Sequence, residues 1–478
     1  VRRGRDHPDA VVIGSGPNGL TAALVLAGAG WRVEVREAAA TAGGGLHSAE
    51  LTEPGFLHDT CATVFPFADL SPALRLLAGA GVEWLRAPRA LAHPLDDGPA
   101  PTLAPDVETT AAGLDADADR YRRLLGPMVA AADALATTVL SGLRTPRPHP
   151  QVARFGVLAL RPARSFLTRA LASGAGRALL AGCAAHATRP LEAPGTTGFA
   201  LFLAVGAHCG GWPVVRGGAG RLAAAALEAL EARGAVVRTG APVRSLRELP
   251  PCRAVVADLA PAGLLGLAGA ALPPRYRRAL ARYRHGPGVC KVDWALAGPI
   301  PWRDPEVASA PTVHLGGSAA EIAAAEGDVA AGRHPERPFV ILTQPGVVDP
   351  GRAPPGRAAA WAYCHVPAGS DRDVSAAIEA QVERFAPGFR DLVLARVVSP
   401  PAAVAARNPN FVGGDIATGA LDLRQLFLRP VAAWRPWATP VRGLYLCSAA
   451  TPPGPGVHGM CGWHAARTVL TDAARGRI

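Results

Sequence analysis

Residues 9 to 38, DAVVIGSGPNGLTAALVLAGAGWRVEVREA, constrain the fold more than any other stretch of the chain. The apolar run AVVI ends in GSGPNG, a helical pattern follows, and WRVEVREA alternates before closing on an acid. That order is strand, tight turn, helix, strand, a βαβ unit with parallel strands. Gly14, Gly16 and Gly19 fill G-x-G-x-x-G, with Ser15, Pro17 and Asn18 completing the turn. The first glycine permits the turn, the second admits a pyrophosphate to the backbone, and the third lets helix pack on strand. The helix start then offers free N–H groups and a positive dipole end to the phosphates. Glu37, followed by Ala38, ends the second strand, where a carboxylate can accept both ribose hydroxyls of an adenosine.

A second glycine cluster, AGGGLHS, follows closely. Gly44, Gly45 and Leu46 are placed to pass beside a second phosphate or a ribityl chain, which a long FAD molecule needs and NAD does not. Far downstream, GGAGRLAAAALEALEARGAVVRTGAPV reads as a helix then a strand and brings Val243 to the cofactor. CRAVVADLAP gives a further strand, and GLYLCSAATPPGPGVHGMCGWHAARTVLTDAA gives strand, Gly/Pro loop and helix. Ser448 and the stretch Val457, His458, Gly459 and Met460 are the expected flavin contacts there, with a helix starting between Val457 and Met460. A helix N-terminus at that place stabilises an anionic reduced ring. GGAGRL has no acid at the end of a second strand, so a tightly bound NAD is not expected.

At 478 residues the chain exceeds one ordinary domain. Three α/β blocks separated by long insertions predict a discontinuous FAD-binding domain from 1–70, 212–262 and 437–478. The insertions, 71–211 and 263–436, predict a substrate domain: the first mostly helical, the second with the strand-like runs GVCKVDWAL, RPFVILTQ and AAAWAYCHV and the helical DVSAAIEAQVERFAP. The eight cysteines form no C-x-x-C pair, so reduced thiols are expected, with neither a disulfide framework nor a metal site. The basic N-terminus runs into a strand without an apolar core, so no signal peptide is expected, and GTTGFALFLAVGAHCGGWPV reads as a buried or cavity-lining segment.

With these motifs the chain resembles the phytoene desaturase-like flavoproteins, in the branch that includes carotenoid isomerases and retinol saturase-like proteins. VVIGSGPNGLTAALVLAGAGWRVEVREA with GGG, PGFLHDTCATVFP, GGAGRL, CRAVVADLAP and LYLCSAATPPGPGVHGM carry the resemblance. It implies an α/β fold: a discontinuous glutathione-reductase-like Rossmann FAD domain plus a mixed-sheet and helical substrate domain. It also implies hydride transfer between flavin and an apolar small molecule. The chain departs from the family at Thr41 and Gly45, where arginines are usual, in the contracted RSLRELPP, and at His458, where carotene desaturases tend to have proline. FAD binding is expected to survive these changes.

Three residues are candidates for the chemistry. His58, beside Asp59, is either an oriented base or a structural histidine; His458 either sits beside the flavin pyrimidine or is structural. Lysine and arginine number 49 together, and Lys291 is the only lysine. Strand alternation puts Lys291 and Asp293 on one face, so Lys291 is either an exposed or Asp293-paired strand residue or a group that holds a water or donates to flavin N5. An FAD-dependent amine or amino-acid oxidase, a flavin-dependent isomerase and a non-enzymatic lipid carrier are the alternative uses of the fold.

The formal charge of +11 is compatible with nucleic acid, an anionic membrane or an acidic cofactor. No zinc knuckle or RNP-like motif accompanies it, which points away from nucleic acid. Arg144 to Arg189 is rich in arginine without an acid and suits a solvated lid or a surface resting on an anionic membrane. A cytoplasmic protein, free or peripheral to the inner face of the membrane, is the expectation.

Overall fold

The computed structural model describes residues 7–142 and 146–478. Arg144 therefore lies outside the described residues, as does the basic stretch 1–6. A five-stranded sheet has the order Leu444–Leu446, Ala254–Ala257, Ala10–Ile13, Val33–Arg36, Val236–Arg238, every pair parallel. Ala10, Val11, Val12 and Val35 are wholly buried, as strands covered on both faces require. The Ala10–Ile13 strand has the next strand in sequence on one side and Ala254–Ala257 on the other. The chain thus reverses direction across the sheet just beyond Ile13, and a crevice at the carboxyl ends of such strands is where α/β sheets bind ligands. Helix Pro17–Gly28 covers one face together with Met460–Ala474. These two helices touch so closely that a Cβ at Gly462 would lie 1.9 Å from the Asn18 carbonyl oxygen.

The second sheet is seven-stranded and mixed, in the order Val393–Ser399, Gly288–Leu296, Ala358–Val366, Val340–Thr343, Thr312–Leu315, Leu91–Ala92, Thr102–Leu103. The Leu91–Ala92 strand pairs in parallel with Thr312–Leu315, and the other pairings are antiparallel. The span 71–211 is thus not purely helical: it supplies these last two strands along with helices such as Ala118–Ala130, Pro150–Ala159, Gly174–Ala185 and Thr196–His208. Strand alternation divides the central strands. Cys290, Val292, Trp294, Ala360, Ala362 and Cys364 pack into a core with Ile378 and Val382 of helix Ser375–Phe385. Lys291, Trp361, Tyr363 and His365 point the other way, toward a large cavity and its side pocket. Helix Thr196–His208, from the long apolar window, is buried in the helical core. Among the described residues no helix is long and apolar enough to cross a membrane.

Candidate functional site

The site begins at the turn after Ile13. Gly14 has φ +94°, and a Cβ on Gly19 would sit 2.1 Å from the Gly14 carbonyl oxygen, so glycine is required for this helix to meet its strand. Helix Pro17–Gly28 has Gly16 as N-cap, with no side chain of its own to cap it and no acid in its first turn, so its positive dipole end faces the cavity. Glu37 stands at the far side of the turn: Oε2 accepts from Ser15 N at 2.8 Å and Ser15 Oγ at 2.6 Å, and Oε1 accepts from Ala39 N at 2.8 Å. The second glycine cluster lies directly on the first. Gly43 N donates to Ser15 Oγ at 3.2 Å, and a Cβ on Gly44, φ +56°, would come 2.8 Å from Gly16 Cα.

Asp258, at the end of the Ala254–Ala257 strand, was not singled out from the sequence. Its Oδ2 accepts from Gly19 N at 3.0 Å, beneath the glycine turn. Burial lifts this carboxyl to about 7, against the pull of the Gly19 N–H, so a large share of it stays neutral where a pyrophosphate would approach. Asn410, within the NPNFVGGD stretch, clamps the same strand end: Nδ2 donates to the Asp258 carbonyl at 2.9 Å and Oδ1 accepts from Ala260 N at 2.7 Å. The acid of VVAD is the signal that could have found Asp258, since its strand runs beside the glycine turn.

At the C-terminal loop, the helix starts at Met460 with Gly459 as N-cap at φ +67°, so Val457 lies before it. His458 Nδ1 accepts from Met460 N at 3.0 Å, and its carbonyl accepts from Ser71 Oγ at 2.6 Å. Burial pulls His458 down to about 4, so it is a neutral imidazole that caps a helix end. Ser448 Oγ donates to the Leu259 carbonyl at 2.7 Å, tying this loop to the Asp258 strand.

These elements wall one cavity of about 1290 Å³. Gly14, Gly16, Pro17 and Asn18 line it, with Glu37, Ala38 and Val243 beside them. Gly44, Gly45, Ser448, Val457 and His458 line it further along. Ser15, Gly19, Leu46, Gly459 and Met460 are not in its wall; Leu46 and Met460 are buried core residues. Single-ligand pockets occupy roughly 300–1,000 Å³, so this one has room for a dinucleotide and a second molecule. Beyond the glycine turns the wall is mostly apolar, with Phe155, Phe199, Phe202, Leu203, Leu423 and Phe427. Among the described residues, the acids in the wall are Glu37 and Asp258, both at the end with the glycine turns.

Lys291 lines a side pocket of about 50 Å³ with Gly44, Gly45, Cys61, Trp361 and Tyr363. Its ammonium pairs with the Asp293 carboxylate and lies 4.6 Å from the Trp361 ring centroid. Burial lowers the Lys291 pKa and Asp293 opposes that shift. His58 corrects the sequence reading. It does not line the cavity; Nε2 meets Thr52 Oγ1 at 2.8 Å and Nδ1 lies 3.5 Å from Asp293 Oδ1. Burial brings it down to about 4, so it is a neutral neighbour of the Lys291–Asp293 pair rather than a base facing substrate. Asp59 does not orient it either. That carboxylate accepts from Ser48 Oγ, Thr63 Oγ1, Ala219 N and Arg352 Nη1, at 2.6, 2.9, 2.8 and 3.1 Å. Thr63 Oγ1 in turn accepts from Trp361 Nε1 at 2.9 Å, so one buried network joins the GGAGRL helix start to the aromatic ring over Lys291.

The glycine turns, the helix start at Pro17, the Asp258 carboxyl raised by burial and the cavity's size fit an FAD molecule. Gly14, Gly16, Asn18, Glu37 and Val243 would hold its adenosine and phosphates, and Gly44, Gly45, Ser448 and Val457 its flavin half.

Residues 12–78 match the family model described as an NAD(P)-binding Rossmann-like domain. The chain is 34% identical over 164 residues to pyridine nucleotide-disulfide oxidoreductase domain-containing protein 2 of Mus musculus, a match covering 30% of this chain and 27% of the mouse protein. The matched region thus spans about a quarter of that relative's length. Among solved structures, an oxidoreductase from Methanosarcina mazei superposes with a TM-score of 0.64 at 17% identity, over 97% of this chain and 99% of that one. Putrescine oxidase with putrescine bound superposes with a TM-score of 0.62 at 18% identity, over 98% and 99%. At such identities the likeness establishes the fold: a Rossmann-like α/β domain joined to a sheet and helices.

Proposed function

We propose that the chain is an FAD-dependent oxidoreductase of the desaturase or dehydrogenase type, moving a hydride between flavin and a largely apolar small molecule. The proposed FAD-binding unit is drawn from 1–70, 212–262 and 437–478, and the substrate unit from 71–211 and 263–436. One observation carries the reading: a cradle suited to a dinucleotide opens into a largely apolar chamber whose wall, among the described residues, has no carboxylate beyond Glu37 and Asp258.

FAD, when bound, supplies two-electron chemistry and the protein supplies position and electrostatics. The glycine turns and the helix start at Pro17 anchor phosphates, and Glu37 takes ribose hydroxyls. Lys291, buried and held by Asp293, places one ammonium at the wall beside Gly44 and Gly45, where it can hold a proton or an ordered water. Helix Pro150–Ala159 lines the chamber through Val152, Phe155 and Gly156, so the arginine-rich segment works as a cover that excludes water.

An amine or amino-acid oxidase is the second reading, supported by the likeness to putrescine oxidase. Among the described residues the chamber wall beyond the glycine turns has no acid, which opposes it, and the Trp361 face that would attract an ammonium is already occupied by Lys291. Flavin-dependent isomerisation uses the same chamber without net redox. The test is to photoreduce the purified flavoprotein, follow reoxidation by oxygen and by quinones, and assay peroxide with a panel of amines. Turnover with amines absent is expected; peroxide release that depends on an amine would replace the first reading with the second.

A further inference from the structure

Along strand Ala358–Val366, Trp361, Tyr363 and His365 share the cavity face. Tyr363 lies opposite Lys291 on the neighbouring strand. His365 stands two residues further on, about 7 Å along the strand. Its Nδ1 meets Glu326 Oε1 at 2.8 Å, and both side chains are only 2% exposed. The carboxylate accepts from Nδ1–H, which leaves Nε2 for a partner in the cavity. Among the described residues, neither His365 Nε2 nor the Tyr363 hydroxyl has a hydrogen-bond partner, and neither is a sealed polar atom, so both keep access to the cavity.

His186 caps helix Gly174–Ala185 and lines the same region, its Nε2 3.0 Å from His314 Nε2. Two imidazoles in that contact share one proton, and burial holds His186 down at about 3. Burial also keeps the Tyr363 hydroxyl protonated. The remaining charged residues of the cavity wall are elsewhere: Arg36, Glu37 and Asp258 at the dinucleotide end, Arg407 beside the Lys291 side pocket.

We propose that Tyr363 and His365, with His186 beside them, form a receptor for a hydroxyl group of the substrate, set within about 10 Å of Lys291. A hydroxyl both donates and accepts, so one alcohol oxygen can bond to His365 Nε2 and Tyr363 Oη at once. The receptor fixes which bond of an otherwise apolar molecule lies at the Lys291 end of the chamber, so Tyr363 and His365 are specificity-determining residues. This inference rests on the reading of the cavity as an apolar-substrate chamber.

The experiment titrates the flavin-loaded protein with farnesol and with farnesene, its hydrocarbon counterpart, and reads the perturbation of flavin absorbance. Wild type is expected to bind farnesol at least about tenfold tighter. Tyr363→Phe and His365→Leu are each expected to cut that preference to about threefold or less, with farnesene binding unchanged. Because His365→Leu strands a buried Glu326, the double variant His365→Leu with Glu326→Leu serves if the single one does not fold. Equal binding of the two probes by wild type, or a preference that survives in both variants, overturns the receptor and leaves the chamber standing. Failure of both probes to bind wild type overturns receptor and chamber together.

Discussion

Lys291 is 5% exposed, and its ammonium is held between the Asp293 carboxylate and the Trp361 ring. A guanidinium is larger, planar and unable to release a proton. Lys291→Arg is therefore expected to slow reoxidation of the photoreduced protein almost as much as Lys291→Met, about tenfold or more, while FAD stays bound. Full activity in the arginine variant would return this lysine to a structural role. Lys291→Met also strands Asp293, a loss of about 3–5 kcal/mol in urea unfolding, and Asp293→Asn in the same chain is expected to restore most of it. Asp258 sets a pH dependence. Its folded carboxyl titrates near 7 while an unfolded one titrates near 3.8, so between those values the folded state holds the extra proton. Stability contributed by this group is complete below about 4, falls as pH rises toward 7 and then levels off, by up to roughly 4 kcal/mol. Asp258→Asn keeps an acceptor for the Gly19 N–H and is expected to remove that slope in unfolding curves measured from pH 4 to 8. An unchanged slope would place the proton elsewhere.

At the scale of elements, glycine decides how closely helices meet strands and each other. Gly462→Ala would push helix Met460–Ala474 off the Asn18 carbonyl, and a loss of about 1–3 kcal/mol is expected in thermal unfolding, together with weaker FAD retention. The first βαβ unit was readable because its glycines, its acid and its change of period fall within one continuous stretch. The strand GVCKVDWAL was readable as well, and its alternation put Lys291 and Asp293 on one face, as the structure has them. The helix start expected between Val457 and Met460 falls at Met460, the last of those residues, because Gly459 takes a left-handed conformation and His458 caps from outside. Leu91–Ala92 and Thr102–Leu103 escaped because two-residue strands have no period to detect; their pairing is decided by Thr312–Leu315, far along the chain.

Across the whole molecule, the features invisible in sequence are those assembled between distant segments. His58 and Asp59 are adjacent in sequence, yet one faces Asp293 and the other is saturated by Ser48, Thr63, Ala219 and Arg352. The His365–Glu326 pair joins a strand to a helix, and no local pattern announces it. The glycine turns and Glu37 were legible because they are local; the chamber was not, because its wall collects side chains from both insertions. The central claim is that the joined turns at Gly14–Gly19 and Gly43–Gly45 hold FAD at the head of that chamber. The most direct measurement is the flavin absorbance of the purified protein before and after incubation with FAD and removal of free cofactor. One FAD per chain is expected, lost in a folded Gly44→Val variant whose side chain would part the two turns. A folded wild-type protein that stays colourless after incubation with FAD would contradict it.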